Sequence, residues 1–161
     1  AKSKGYSSEI LQAVEHVNQK QKLRLVKKIR DRFGENDLKG KRFAVWGLSF
    51  KPRTDDMREA PSIVIVNALI ESGAEVIAYD PEAERSAKKI FGDKINIVKS
   101  SYHALDNADA LIVVTEWNEF REPDFDRMRK LMRNPIIFDG RNLFSVEQMR
   151  TQGFEYISIG R

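Results

Sequence analysis

The sequence predicts an α/β fold, a doubly wound parallel sheet preceded by a long N-terminal helix. Three observations carry that prediction. Short apolar runs of strand length recur from Lys41 onward, stretches of helical character separate them, and segment 8–33 has helical periodicity with no Gly or Pro inside it. Strands buried on both faces read as continuous apolar runs, and strand–helix–strand alternation calls for parallel pairing.

Segment 8–33 comes first in the chain. Its apolar residues fall at Ile10, Val14, Val17, then Leu25 or Val26, Ile29 and Phe33, mostly three or four apart on a polar, largely basic background. Gly34 follows as a stop. At 1.5 Å per residue such a helix is about 39 Å long and overhangs a small domain. Part of its apolar stripe is therefore expected to meet another domain or subunit; the alternative is that it packs entirely on its own domain.

The strand candidates are Phe43-Ala44-Val45-Trp46, Val76-Ile77-Ala78-Tyr79, Ala110-Leu111-Ile112-Val113-Val114 and Pro135-Ile136-Ile137-Phe138, with weaker ones at 95–98 and 156–159. Helices are expected over 61–72, 82–91, 102–107, 125–132 and 145–152. The first opens on Pro61, which suits a first helical turn, and Gly73 and Gly153 suit helix ends. The result is a Rossmann-like domain.

Composition narrows the function. The chain has 161 residues, 41% hydrophobic and 32% charged, with no cysteine, so disulfides, thiolate nucleophiles and cysteine-based zinc sites are excluded. No apolar run approaches the ~20 residues that span a bilayer, and the first residues lack the apolar core of a signal peptide. No membrane association and a cytoplasmic location are the expectation. The net charge of +4 suits a phosphate-bearing ligand but is too small to argue for nucleic acid.

In doubly wound sheets ligands bind beyond the carboxyl ends of the strands. An ordinary dinucleotide turn, G-x-G-x-x-G running straight into a helix, is not present after the first strand. Gly47 stands alone, followed by about a dozen residues before the helix, and Asp80 lies 33 positions after Gly47 where an NAD-ribose acid is expected at roughly 20. The replacement loop holds the cations Lys51, Arg53 and Arg58, the acids Asp55 and Asp56, and the aromatic Phe50. Its cations suit a diphosphate and its ring suits a base or sugar, or else the charges pair among themselves and order a surface loop. Arg141 poses a similar choice between a ligand and a neighbouring carbonyl, with Gly140 before it giving the backbone freedom to turn.

The loop Gly47-Leu48-Ser49-Phe50-Lys51-Pro52-x-Thr54-Asp55-Asp56-x-Arg58-Glu59-x-Pro61-Ser62 resembles the signature that opens the C-terminal domain of UDP-glucose/GDP-mannose dehydrogenases. The likeness continues through Tyr79-Asp80-Pro81, Thr115-Glu116-Trp117-x-Glu119-Phe120 and Phe138-Asp139-Gly140-Arg141-Asn142. Upstream, Ala13-Val14-x-x-Val17-Asn18-x-x-Gln21 resembles the end of the family's central helix, which carries its dimer interface. The resemblance implies two parts: residues 1–38, the end of a dimerisation and linker helix, and residues 39–161, a UDP-sugar-binding domain.

It further implies an oxidoreductase that takes a sugar C6 hydroxyl to a carboxylate in two NAD-dependent steps on a cysteine. That cysteine, its lysine and aspartate helpers and the NAD-binding domain lie upstream in the family, so this portion is expected to hold no catalytic residue and to be inactive alone. By the same resemblance Phe50 and Lys51 contact the nucleotide sugar, Arg141 contacts the uridine diphosphate, and Arg58 reaches NAD held by the N-terminal domain. Asp55 and Asp56 are assigned to positioning the loop, and the Glu116-Trp117 pair, which matches the family motif without a clear role, is expected to pack rather than to contact a ligand. The implied partners are a UDP-sugar, the N-terminal NAD domain and a second copy joined through the helix. Asp139-Gly140-Arg141 favours the UDP-glucose branch over GDP-mannose or UDP-N-acetylmannosamine relatives. The rival reading from another class is a non-catalytic dimerisation module.

Overall fold

A computed structural model describes residues 9–34 and 38–160. Helix α1 (Glu9–Phe33) leads into β1 (Arg42–Trp46), α2 (Pro61–Glu71), β2 (Glu75–Tyr79), α3 (Glu84–Phe91), β3 (Asn96–Ile97), α4 (Ser101–Ala104), β4 (Ala110–Val113), α5 (Phe125–Leu131), β5 (Ile136–Asp139), α6 (Val146–Thr151) and β6 (Glu155–Ser158). The strands form one parallel sheet in the order β3-β2-β1-β4-β5-β6. The chain therefore leaves β1 in one direction, returns after β3, and restarts on the other side of β1 with β4. That reversal is the switch point at which doubly wound sheets bind ligands.

Alternation along each strand splits the core into two layers. Phe43 and Val45 of β1, Ile112 of β4 and Phe138 of β5 face α1, α2 and α3. Ala44, Trp46, Leu111, Val113 and Ile137 face the other way, onto Met128 of α5, Met149 of α6 and the aromatics Phe120 and Phe144. Trp46 stacks on Phe120 at 4.9 Å and donates its indole N–H to the Ser101 carbonyl, which satisfies its one polar atom.

Helix α1 belongs to the first layer. Leu25, Val26 and Ile29 are buried there, each burial stabilising by about 1.5–3 kcal/mol. Leu25 approaches Gly140 beyond β5, and Lys22 pairs with Glu59 in the loop after β1. At its other end Phe33 meets Phe43 edge-on at 5.4 Å and Arg32 takes both carboxylate oxygens of Glu155 at the start of β6. The helix therefore runs from the carboxyl edge of the sheet to its amino edge. Gly34 ends it at φ +98°. Upstream of Lys22 the helix continues past the carboxyl edge for about 20 Å. Val17 (61% exposed) is open there and Leu23 (49%) is open just after Lys22, whereas Ile10 and Val14 lie outside the residues whose side chains are described. Packing on its own domain thus holds for the last turns of the helix.

Two elements are shorter than their sequence patterns suggest. The helix expected over 102–107 is Ser101–Ala104, because the backbone turns at Leu105–Ala108 and Asn107 sits at φ +55° with its N–H on the Leu131 carbonyl. Strand β3 pairs on one side only and is two residues long. Among the described residues no helix is long and apolar enough to cross a membrane.

Candidate functional site at the carboxyl edge

The strand register sets Gly47, Asp80, Val114 and Gly140 in one row just past the carboxyl ends of β1, β2, β4 and β5. At Gly47 the chain turns with φ +86°, and a Cβ built there would lie 2.5 Å from the Thr115 Cβ and 2.7 Å from its backbone nitrogen. Only glycine permits that approach. At Gly140 the constraint is space alone: a Cβ would come 3.0 Å from the Val113 carbonyl oxygen and 3.2 Å from Leu25. Gly140 is not among the positive-φ residues, so the backbone freedom expected of it is not what the fold uses. The left-handed residue of that turn is Asn142, at φ +53°.

Asp80 is buried and organises the loop after β1. Its Oδ2 accepts the N–H groups of Leu48 (2.6 Å) and Ser49 (3.0 Å), the Ser49 hydroxyl and the Trp117 indole N–H, and its Oδ1 accepts the N–H groups of Glu82 and Ala83. A carboxylate so engaged has no capacity left for a ribose, which agrees with its spacing from Gly47 being wrong for an NAD acid. The structure gives Trp117, though not Glu116, the packing role expected of the pair: Trp117 is 8% exposed in the second core layer.

From that anchor the loop closes on itself. The Phe50 N–H donates to the Asp56 carbonyl, and Asp56 accepts both the backbone N–H and the guanidinium of Arg58. This pairing holds the Asp56 carboxyl down to about 2, first through the Arg58 side-chain bond and then through its backbone bond. The self-pairing alternative is therefore realised for Asp56 and Arg58. The Asp55 carboxylate accepts from the Ser86 hydroxyl instead. Lys51 has no salt-bridge partner among the described residues, and the Phe50 ring is 51% exposed. The Arg58 side chain, though paired, is 89% exposed.

A second buried acid plays the same part beyond β5. Asp139 accepts the N–H groups of Arg141 (2.8 Å), Leu143 (2.7 Å) and Phe144, together with the Tyr156 hydroxyl (2.8 Å). Arg141 so placed caps no carbonyl; its Nε and Nη2 donate to the two carboxylate oxygens of Glu116. That bond is the main cause of a Glu116 carboxyl held below its ordinary value. Arg141 borders a cleft of about 420 Å³ with Gln21 of α1, Arg121, Asn142 and Ile159. A larger cleft lies between residues 53–55 of the loop and α3.

Phe50 and Lys51 thus follow β1, and Arg141 follows β5, with β4 between them. At a strand spacing of 4.7–4.9 Å the two loops spring from points about 10 Å apart. Such a separation fits a ligand with a ring at one end and phosphates at the other. The roles of Asp80, Asp139, Thr115 and Glu116 went unread in the sequence. A signal did exist: a short acid directly after a strand, followed by Pro or Gly, commonly bonds the backbone of its own turn.

Comparison with known proteins bears on the same residues. Residues 44–146 match the UDP-glucose/GDP-mannose dehydrogenase family, UDP binding domain. The UDP-glucose 6-dehydrogenase of Pseudomonas aeruginosa is 43% identical over 166 residues, covering 100% of this chain and 36% of that protein. TuaD, a UDP-glucose 6-dehydrogenase of Bacillus subtilis, is 40% identical over 161 residues, covering 100% and 34%. A solved UDP-glucose dehydrogenase from Pyrobaculum islandicum superposes with a TM-score of 0.74 at 31% identity, over 92% of this chain and 31% of that one. The chain spans about a third of the length of the relatives it matches.

Proposed function

The chain belongs to the UDP-glucose/GDP-mannose dehydrogenase family, and from that premise we propose that it is the nucleotide-sugar-binding part of a UDP-glucose 6-dehydrogenase. The observation that carries the reading is the pair of cationic loops on either side of β4. Among the described residues Lys51 has no salt-bridge partner and lies beside an exposed Phe50, and Arg141 borders a cleft at the end of β5. Phe50 supplies a flat face to the base or sugar, while Lys51 and Arg141 bind the diphosphate oxygens.

NAD does not fit this domain. The turn after β1 has one glycine, α2 starts 14 positions later on Pro61, and Asp80 is consumed by the loop. NAD belongs instead to a partner domain, where it supplies the hydride acceptor. On this side the exposed Arg58 is the residue that reaches it, fixed in direction by Asp56. The oxidation of UDP-glucose to UDP-glucuronate is proposed for the whole protein, in the cytoplasm, and no bond-making step falls to this chain.

Calorimetric titration with UDP tests the reading. The expected result is weak, salt-sensitive binding that is lost in Lys51→Ala and in Arg141→Ala. No UDP binding by the wild type, or binding left unchanged by either substitution, overturns the two-loop site. The exposed Val17 and Leu23 on α1 favour a second copy of the chain as a further partner. Sedimentation that shows only monomer at high concentration removes that part of the reading.

A further inference from the structure

We propose that Thr115, Glu116 and Trp117 form a positioning bridge that fixes the Lys51-bearing loop and Arg141 relative to each other for binding a nucleoside diphosphate. This rests on the reading above and adds to it the device that joins its two halves. Each of the three consecutive residues reaches a different part of the site. The Thr115 hydroxyl donates to the Ser49 carbonyl at 2.6 Å, next to Phe50 and Lys51. The Trp117 indole donates to Asp80 at 3.3 Å, the acid that also holds the Leu48 and Ser49 N–H groups. Between them Glu116 points the other way and takes Arg141.

The geometry of the Glu116 contact decides what it does. A guanidinium has five N–H donors arranged around a plane. Glu116 occupies the side edge, Nε and one hydrogen of Nη2, and among the described residues nothing takes Nη1 or the second hydrogen of Nη2, which form the other pair. That pair matches two oxygens of a phosphate. Glu116 therefore aims Arg141 without using up the edge that binds. The Arg141 backbone is held independently by Asp139, so Glu116 controls the direction of the side chain alone. It is a positioning residue and touches no substrate.

The bridge and a simple competition predict opposite signs. If Glu116 only competed with phosphate for Arg141, replacing it with an uncharged residue would tighten UDP binding. The bridge requires the reverse.

UDP binding is measured by calorimetry on the full chain for wild type, Glu116→Gln, Thr115→Val, Thr115→Ser and Arg141→Ala, with the Arg141 Nε–H resonance followed by NMR. Glu116→Gln is expected to weaken UDP binding about tenfold, the scale of one lost charge-assisted hydrogen bond, and to release the Arg141 Nε–H to fast exchange. Thr115→Val weakens binding as well, and Thr115→Ser, which keeps the hydroxyl, restores it. Unchanged or tighter binding in Glu116→Gln, while Arg141→Ala still abolishes binding, overturns the bridge and leaves the site intact. Binding indifferent to Arg141→Ala, or no UDP binding by the wild type, overturns the site and the bridge together. If Thr115→Val fails to fold, Thr115→Ser and Glu116→Gln decide the matter.

Discussion

Gly47 and Thr115 are in such close contact that no side chain fits between them: a Cβ on Gly47 would stand 2.5 Å from the Thr115 Cβ and 2.7 Å from its backbone nitrogen. The backbone nitrogen cannot swing aside as the end of a long side chain would, and φ +86° already disfavours any residue with a Cβ. Gly47→Ala is therefore expected to cost about 2–6 kcal/mol, summing local backbone strain with overpacking. Urea unfolding checks this, as a lower midpoint with an unchanged slope. A midpoint equal to wild type would mean that the β1 and β4 ends are not held as closely as described.

Asp80 offers a different test, because its role is to accept. Asp80→Asn keeps the shape but replaces one acceptor oxygen with a donor facing N–H groups of the loop. The expected loss is about 2–4 kcal/mol, the range for leaving buried partners of a charged acceptor unsatisfied. No NAD binding is expected of wild type or of Asp80→Asn, since the acid holds the loop and not a ribose; NAD binding by wild type that Asp80→Asn abolishes would overturn this. Parallel melting and NAD titrations separate the two roles.

The sheet was legible because burial on both faces leaves a plain mark: the runs at 43–46, 76–79, 110–114 and 135–138 all fall on strands to within a residue or so. Helix α1 was legible for a similar reason, with Gly34 ending it where expected. Strand order was inferred only as a class, since the apolar runs of β1 and β5 look alike. The site was legible as a location, and its wiring was not. Asp56 and Arg58 stand two apart, so their pairing was readable as one of two alternatives. Glu116 and Arg141 are 25 positions apart, and their pairing depends on β4 and β5 being neighbours. Asp80 and Trp117 depend likewise on β2 and β4 both flanking β1. Contacts of this kind follow from strand order, which no local pattern records.

Leu25 marks the joint between α1 and the sheet. It is 1% exposed, and its Cδ2 is the atom a Cβ on Gly140 would meet at 3.2 Å. Leu25→Ala is expected to cost about 2–5 kcal/mol, with little collapse because sheet and helix backbones flank the gap. Hydrogen exchange is expected to show lost protection in α1 before β1 or β4. Equal loss across the whole sheet would show that the helix and sheet unfold as one unit.

Glu116 links the site to acid stability. Arg141 donates to it from Nε and Nη2, and this holds its carboxyl below the ordinary 4.5. A carboxyl whose folded value is lowered stabilises the fold fully above its unfolded value, and the contribution fades as pH falls through the folded one. Part of the pair is open to solvent, so screening keeps the contribution modest. Glu116→Gln is expected to be less stable than wild type at neutral pH by an amount that stays constant down to the ordinary glutamate range and then shrinks as pH falls further. Urea midpoints of the two chains between pH 7 and pH 3.5 test this. A difference that stays constant to the acid end would show that Arg141 does not depend on the ionised carboxylate.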